Sequence, residues 1–221
     1  DEDGHETSSY DISIMSKELL NNYPEITKYT TIWNDSLRGG KSELVNTNKL
    51  VHNYKGCTGL KTGSTSQALF NLSASATRDS LSLIAVVMKA PTSKLRFSCA
   101  SSLLDYGFTN FSFSKLATKG DFVQNVTISK GVNSNVNAVF EQDCGTLIAK
   151  GNDGNVDKII SLNQNISAPI CKGDTLGTVT FKLNDENIGT VNLVSDSDVA
   201  KFNVVSMNKK VFSKWFYLLR K

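Results

Sequence analysis

The sequence has few of the residue patterns that mark metal-binding, disulfide-rich or membrane-spanning proteins. Its 221 residues include two histidines, and none of the four cysteines forms a C-x-x-C pair, so we expect no metal site and no cofactor. No apolar run reaches about 18 residues, which excludes a membrane-spanning helix. The cysteines are too few for a disulfide scaffold and are expected to be mostly buried thiols, although a Cys144–Cys171 bridge stays open for an exported protein. The cysteines are Cys57, Cys99, Cys144 and Cys171.

An excess of either charge is also absent, except at the C-terminus. The chain has 24 basic and 21 acidic residues, but five of the basic residues follow Ser206 and no acidic residue does. The remaining body is near neutral, which argues against nucleic-acid binding. Residues 206–221 place aromatic and aliphatic side chains on one helical face and lysines on the other. This pattern predicts an amphipathic helix that binds an anionic membrane surface, the alternative being a helix packed on the preceding domain.

The first half of the chain has the pattern of helices combined with a short antiparallel sheet. Ser8 and Asp11 form an S-x-x-D capping pattern that predicts the start of a helix. A second helix is predicted over Thr92–Tyr106, with Gly107 at its C′ position and a linker over 109–114. Strands are predicted near Thr31–Trp33 and Leu44–Val45, around Lys61, and over 68–77 and 81–88.

The second half of the chain contains short β-rich runs separated by Asn, Asp and Gly, which predicts a small all-β sandwich. The predicted strands are 122–128, 136–140, 146–149, 176–183 and 188–194. A hairpin turn is predicted over 184–187. The fold is therefore predicted to be α+β, with domains over 1–111 and 112–205 and an amphipathic helix over 206–221.

The most informative motif is Lys61-Thr62-Gly63, which precedes a strongly apolar strand and a helix that carries Arg96. In this context the sequence resembles the low-molecular-mass penicillin-binding proteins, which are serine-type D-alanyl-D-alanine carboxypeptidases. The segments 46–50 and 172–178 resemble other parts of that family. The resemblance implies part of a transpeptidase-like catalytic domain, followed by the β-sandwich and a membrane anchor.

The resemblance also implies a role for each residue of the motif, because the family's substrate peptide ends in a carboxylate. Lys61 supplies a cation, Thr62 a hydroxyl donor, and Gly63 room for the ligand to approach the backbone. Arg96 is a candidate second anchor for the carboxylate. The alternatives are an exposed strand lysine at position 61 and a surface arginine at the start of a helix at position 96.

The chain departs from the family in its nucleophile. The family's S-x-x-K and S-x-N motifs lie upstream of K-T-G, whereas the matches here, Ser112–Lys115, Ser206–Lys209 and Ser161–Asn163, all follow it and are interpreted as chance. The N-terminal residues 1–5 are acidic and contain no signal peptide. We therefore expect a C-terminal part of a longer carboxypeptidase that is inactive without its nucleophile.

The predicted function is removal of the terminal D-Ala from peptidoglycan stem peptides that end in D-Ala-D-Ala, through an acyl-serine intermediate. The implied partners are this peptide, β-lactams, and an anionic membrane surface contacted by 206–221, on the outer face of the bacterial cytoplasmic membrane. The alternative function is a non-catalytic, membrane-associated β-domain module. A β-lactamase also fits K-T-G, but the appended β-domain and the basic tail argue against it.

Overall fold

The computed structural model describes residues 1–151 and 156–203, and the chain divides into two compact units, Asp1–Phe113 and Ser114–Lys221. This division lies close to the boundary predicted at residue 111. The helix predicted over 206–221 lies outside the described residues. The four cysteines are free thiols, and Cys144 and Cys171 form no bridge.

The first unit combines helices with two small antiparallel sheets. Its helices are α1 (Ser9–Asn22), α2 (Thr27–Thr30), α3 (Leu50–Asn53) and α4 (Ser93–Asn110), with a 3₁₀ turn over Pro24–Ile26. Its strands are β1 (Asn34–Leu37), β2 (Ser42–Val45), β3 (Cys57–Thr65), β4 (Leu69–Arg78) and β5 (Leu81–Ala90). β1 pairs with β2, and the second sheet has the order β3-β4-β5.

The capping pattern at Ser8 predicts the start of α1 correctly. The Ser8 hydroxyl accepts a hydrogen bond from the Asp11 amide at 3.1 Å, and the Asp11 carboxylate accepts one from the Ser8 amide at 3.2 Å. These two bonds satisfy donors that the first turn of a helix otherwise leaves unpaired. On the next turns, Ser16 Oγ lies 2.7 Å from Ser73 Oγ in a buried contact, which fixes α1 on strand β4.

The three predicted antiparallel strands are confirmed, and β3 forms one edge of their sheet. β4 lies in the middle, where five consecutive residues from Leu72 to Ala76 are buried. The core joins β4 and β5 to α4 through mostly small side chains. Its buried members are Leu50, Leu72, Ala74, Ala76, Ala85, Ala100 and Leu104.

Three local predictions in this part of the chain are wrong. Gly107 does not end α4 but lies buried inside it, because a Cβ at this position would come within 2.5 Å of Leu83 Cδ1. The predicted linker over 109–114 is instead the end of α4 followed directly by a strand that begins at Phe111. The strand predicted near Thr31–Trp33 begins later, at Asn34, because α2 runs to Thr30 and the residues just after it form its C-terminal turn.

The described part of the second unit is built from strands, the first of which begins in the last three residues of the first unit. They are β6 (Phe111–Ala117), β7 (Phe122–Thr127), β8 (Asn135–Phe140), β9 (Cys144–Ala149), β10 (Val156–Leu162), β11 (Thr175–Leu183) and β12 (Glu186–Ser195). A five-stranded sheet has the order β10-β11-β12-β8-β7, and β6 pairs with β9 in a second sheet. Side chains from both sheets contribute to one apolar core that includes Val179, Val191 and Leu193. The predicted hairpin is confirmed, since Asn184 and Asp185 connect β11 to β12 with φ of 50° and 67°.

Candidate substrate-binding site

The K-T-G segment lies in the middle of edge strand β3, which leaves one side of its backbone without a neighbouring strand in the described sheet. Lys61 is exposed, and its Nζ donates a hydrogen bond to the Thr62 carbonyl at 2.6 Å. Thr62 points to the opposite side of the strand and is only 7% exposed. The cation and the hydroxyl thus belong to consecutive residues on opposite faces of an edge strand that an extended peptide could pair with.

Gly63 keeps the space above the strand open. A Cβ built at this position would meet no atom within 4 Å in the described structure, although the backbone there is not in the left-handed region. The glycine is therefore not required by its backbone conformation. Its lack of a side chain is instead suited to the close approach of a ligand to the backbone.

Arg96 is buried, at 7% exposed, and its guanidinium bonds to the two strands beside it. Nη1 donates to the Gly63 carbonyl at 3.3 Å and to the Asn71 carbonyl at 3.1 Å, and Nη2 donates to Ser93 Oγ at 3.4 Å. The guanidinium carbon lies 4.7 Å from the centre of the Phe97 ring. Burial lowers the pKa of Arg96 from its ordinary value.

Arg96 therefore tethers α4 to the carbonyl of the K-T-G glycine. Its Nε is buried without a hydrogen-bond partner, so the side chain retains one donor. Direct binding of a substrate carboxylate by Arg96 stays a prediction, since the bonds seen here run to main-chain carbonyls and to Ser93.

Thr47 is a site residue that the sequence reasoning missed. Its Oγ1 lies 2.6 Å from Thr62 Oγ1, so the two hydroxyls share a hydrogen bond. The sequence signal was the segment Asn46-Thr47-Asn48, which resembles the family segment before K-T-G but carries no motif that assigns a role. Only the folded loop brings residue 47 against residue 62.

A cavity of about 700 Å³ lies between α1 and the sheet, and the K-T-G segment forms part of its wall. The opposite wall carries Met15 and Leu19 of α1, and Val86 of β5 lines the floor. Transferring an unpaired carboxylate into such an apolar space costs free energy. The groups suited to an anion are therefore those of β3 itself, at the edge of the cavity.

The described residues offer no helical S-x-x-K pair. Ser112 and Lys115 lie on strand β6, and residues three apart on a strand point to opposite faces. Ser161 lies on strand β10, and Ser206 is outside the described residues. Within 1–151 and 156–203, no group of three or more His, Cys, Asp or Glu side chains could hold a metal ion.

Sequence comparison connects both units to known proteins. Residues 1–92 match the family profile of D-alanyl-D-alanine carboxypeptidase, and residues 111–201 match that of the C-terminal domain of penicillin-binding protein 5. The chain is 36% identical to D-alanyl-D-alanine carboxypeptidase DacF of Bacillus subtilis over 218 residues, which is 97% of this chain and 56% of that protein. The chain belongs to the D-alanyl-D-alanine carboxypeptidase family. It corresponds to the C-terminal part of a low-molecular-mass penicillin-binding protein and spans about half the length of the curated relatives it matches.

Solved structures of this carboxypeptidase family have the same fold. Penicillin-binding protein 5 from Haemophilus influenzae is 31% identical, with a TM-score of 0.70 over 88% of this chain and 57% of that one. Penicillin-binding protein 6B from Escherichia coli is 26% identical, with a TM-score of 0.59 over 87% of this chain and 51% of that one. The predicted α+β fold with a β-sandwich is thereby confirmed for the described residues. No helix among them is long and apolar enough to cross a membrane.

Proposed function

We propose that this chain is the substrate-binding half of a serine-type D-alanyl-D-alanine carboxypeptidase. The complete enzyme removes the terminal D-Ala from peptidoglycan stem peptides that end in D-Ala-D-Ala, and β-lactams acylate the same nucleophile. The observation that carries the proposal is the K-T-G segment Lys61–Gly63 on an open strand edge, with its cation, its hydroxyl and its uncovered backbone adjacent. The names of the relatives support the same activity.

In the proposed reaction a serine hydroxyl, supplied upstream in the complete enzyme, attacks the carbonyl carbon of the penultimate D-Ala. The peptide C–N bond breaks, the terminal D-Ala leaves as an amine after taking up a proton, and the peptide remains as a serine ester. Water then hydrolyses the ester and frees the serine. The contribution of this chain is to bind the terminal carboxylate through Lys61 and Thr62, and to pair the peptide backbone along β3.

The proposal is tested by acylation with a fluorescent penicillin. The complete enzyme should be labelled, and Lys61→Ala should slow labelling by about 100-fold, because the cation proposed to bind the carboxylate of the ligand is lost. Lys28→Ala, which removes an exposed lysine on α2, serves as the matched control and should label at the wild-type rate. Labelling of residues 1–221 alone would show that a serine within this chain is the nucleophile and would overturn the proposal.

We also propose that residues 206–221 bind the anionic outer face of the cytoplasmic membrane and hold the exported enzyme near peptidoglycan. Five cations near such a surface add about 1 kcal/mol each. The chain should therefore co-sediment with vesicles that contain phosphatidylglycerol, and deletion of 207–221 should abolish this. If deletion leaves sedimentation unchanged but destabilises the β-domain, the segment is a packed helix instead.

The alternative of a non-catalytic β-domain module is not favoured. Residues 1–92, in the first unit, match the carboxypeptidase profile. A non-catalytic β-domain module would not need this part of the chain. Absence of penicillin labelling in a folded complete enzyme would revive this alternative.

A further inference from the structure

The hydroxyl pair between Thr47 and Thr62 places a second side chain next to the residue proposed to bind the substrate carboxylate. The two Oγ1 atoms are 2.6 Å apart, a short distance for a hydrogen bond between hydroxyls. Thr47 is exposed while Thr62 is buried, so the pair lies where the protein meets the open side of β3. No motif of the sequence assigns Thr47 to this place.

The loop around Thr47 is fixed on both sides by asparagine side chains. Asn46 Nδ2 donates to the carbonyls of Ile32 at 2.9 Å and Thr30 at 3.2 Å, and Asn46 Oδ1 accepts from the amide of Asn48 at 2.9 Å. Asn48 is 1% exposed. The position of the Thr47 hydroxyl is thus set by the loop rather than by its own rotation alone.

The Asn48 side chain in turn holds the start of the helix that follows the loop. Its Oδ1 accepts from the Leu50 amide at 3.1 Å, the first residue of α3. Leu50 belongs to the apolar core of the first unit. The loop that carries Thr47 is therefore hydrogen-bonded at one end to the end of α2 and the residues just after it, and at the other end to Leu50 of the core.

The number of hydroxyl protons decides which threonine of the pair donates the hydrogen bond when a ligand is bound. A threonine hydroxyl has one proton to donate and accepts through its lone pairs. If Thr62 donates its proton to a substrate carboxylate, it cannot also donate to Thr47, so Thr47 must be the donor within the pair. A Thr47 hydroxyl that donates to Thr62 Oγ1 leaves the Thr62 proton for the ligand.

We infer that Thr47 is a positioning residue that donates a hydrogen bond to Thr62 and so directs the Thr62 proton toward the substrate carboxylate. The inference rests on the proposed carboxypeptidase function. Because it acts through Thr62, its effect depends on a carboxylate being present to accept the proton. A residue that merely stabilised the loop would affect every substrate alike.

The test uses the complete enzyme and a diacylated D-Ala-D-Ala peptide, compared with an amide of the same peptide in which ethylamine replaces the terminal D-Ala, so that the scissile bond remains but no terminal carboxylate or carbonyl can accept the Thr62 proton. Thr47→Val should lower kcat/KM for the carboxylate substrate about fivefold, mainly through KM, since one net hydrogen bond is lost in ground and transition states alike. Thr47→Ser should restore the wild-type value. For the amide substrate, Thr47→Val and the wild type should be equal.

Two further variants show whether the loss of activity in Thr47→Val comes from the lost positioning of Thr62 or from a general effect on folding. In a Thr62→Val background, Thr47→Val should cause no additional loss, because the proton it directs is gone. Thr77→Val is the matched control: Thr77 is also exposed and its Oγ1 lies 2.8 Å from Ser82 Oγ, at the far end of the sheet. This control should leave both substrates unaffected.

The outcomes distinguish the inference from the function on which it rests. An active wild type with equal losses for both substrates in Thr47→Val, or with no loss at all, overturns the positioning role alone. Additive losses in the double variant do the same. A folded complete enzyme that neither hydrolyses the peptide nor reacts with penicillin overturns both. If Thr47→Val is less stable, the ratio between the two substrates still decides, since a smaller folded fraction lowers both rates equally.

Discussion

Two substitutions of Arg96 distinguish its two possible roles: a residue that holds the K-T-G strand through hydrogen bonds, or a cation that only attracts carboxylates. Arg96→Met keeps a long side chain that packs beside Phe97 but removes the bonds to the carbonyls of Gly63 and Asn71. Arg96→Lys keeps the positive charge but replaces a planar fork by a single ammonium, which cannot match the guanidinium geometry. A tether predicts similar effects for both variants, whereas an attracting charge predicts that lysine is tolerated.

The size of the effect follows from the contacts. A hydrogen bond to a charged group contributes about 1.5–3 kcal/mol, and the lengths of 3.1 and 3.3 Å place these two near the lower end, for a sum of about 3 kcal/mol. Burial of the guanidinium, which also lowers the pKa of Arg96, offsets part of this gain. We expect a net loss of about 2 kcal/mol in the local stability of β3 against β4, which corresponds to an equilibrium constant for local opening that is about 30-fold larger.

Amide hydrogen exchange of the chain measures this opening directly. In Arg96→Met and Arg96→Lys, the amides of β3 and β4 near Gly63 and Asn71 should exchange about 30-fold faster than in the wild type. The control is Arg78→Met, because Arg78 packs over Tyr54 at 4.5 Å and is hydrogen-bonded to a main-chain carbonyl distant from Gly63. Wild-type protection near Gly63 in Arg96→Lys, or in Arg96→Met, would refute the tether.

Three further predictions concern the first unit. Gly63→Ala should leave the free energy of unfolding in urea within about 0.5 kcal/mol of the wild-type value, because a Cβ at this position meets no atom within 4 Å. The same variant should slow penicillin acylation of the complete enzyme, and unchanged acylation would contradict the close approach of a ligand to this glycine. Gly107→Ala should not give the stabilisation of about 1 kcal/mol that Gly→Ala gives inside a helix, because its Cβ would lie 2.5 Å from Leu83 Cδ1 and displace that side chain. A gain of about 1 kcal/mol in the same urea experiment would rule out this packing. Burial, and the hydrogen bond that the Tyr54 hydroxyl donates to Asp105, raise the pKa of Tyr54 to about 12. The stability that the protonated Tyr54 contributes is therefore full below about pH 10, the pKa in the unfolded chain, and is lost as the pH rises through about 12. Asp105→Asn should lower this pKa in a phenolate absorbance titration, with Tyr54→Phe identifying the signal.

The sequence was most informative where a short pattern determines local structure. The S-x-x-D pattern at Ser8 predicts the start of α1, because a capping box needs only residues three apart. The apolar runs predict strands β4 and β5, but their order in the sheet is wrong. The more continuously apolar run over 81–88 predicts the central strand, whereas β5 lies at the edge of the described sheet and is mostly half-buried, and β4 lies in the middle. β10 escaped prediction because it is an edge strand whose residues are nearly all exposed, so its sequence has no alternating apolar pattern.

The predictions that failed depend on residues far apart in the chain. Gly107 looked like a helix end, since glycine is common there, but its role comes from Leu83 on β5. The pairing of Thr47 with Thr62 likewise depends on how the intervening loop and α3 close against β3. The sequence therefore located the K-T-G strand and Arg96, but it predicted neither the contact of Thr47 with Thr62 nor the bonds from Arg96 to main-chain carbonyls.

Those side chains hold the K-T-G strand from two directions before any ligand is bound. Arg96 bonds to the carbonyl of Gly63 from α4, and Thr47 bonds to the hydroxyl of Thr62 from the loop that precedes α3. A strand fixed at two consecutive residues loses little further conformational entropy when a peptide pairs with its edge, and such preorganisation increases affinity without a new contact. If this reasoning is correct, the losses caused by Arg96→Lys and Thr47→Val should differ in kind: the first should impair the carboxylate and amide peptides alike, and the second only the carboxylate peptide.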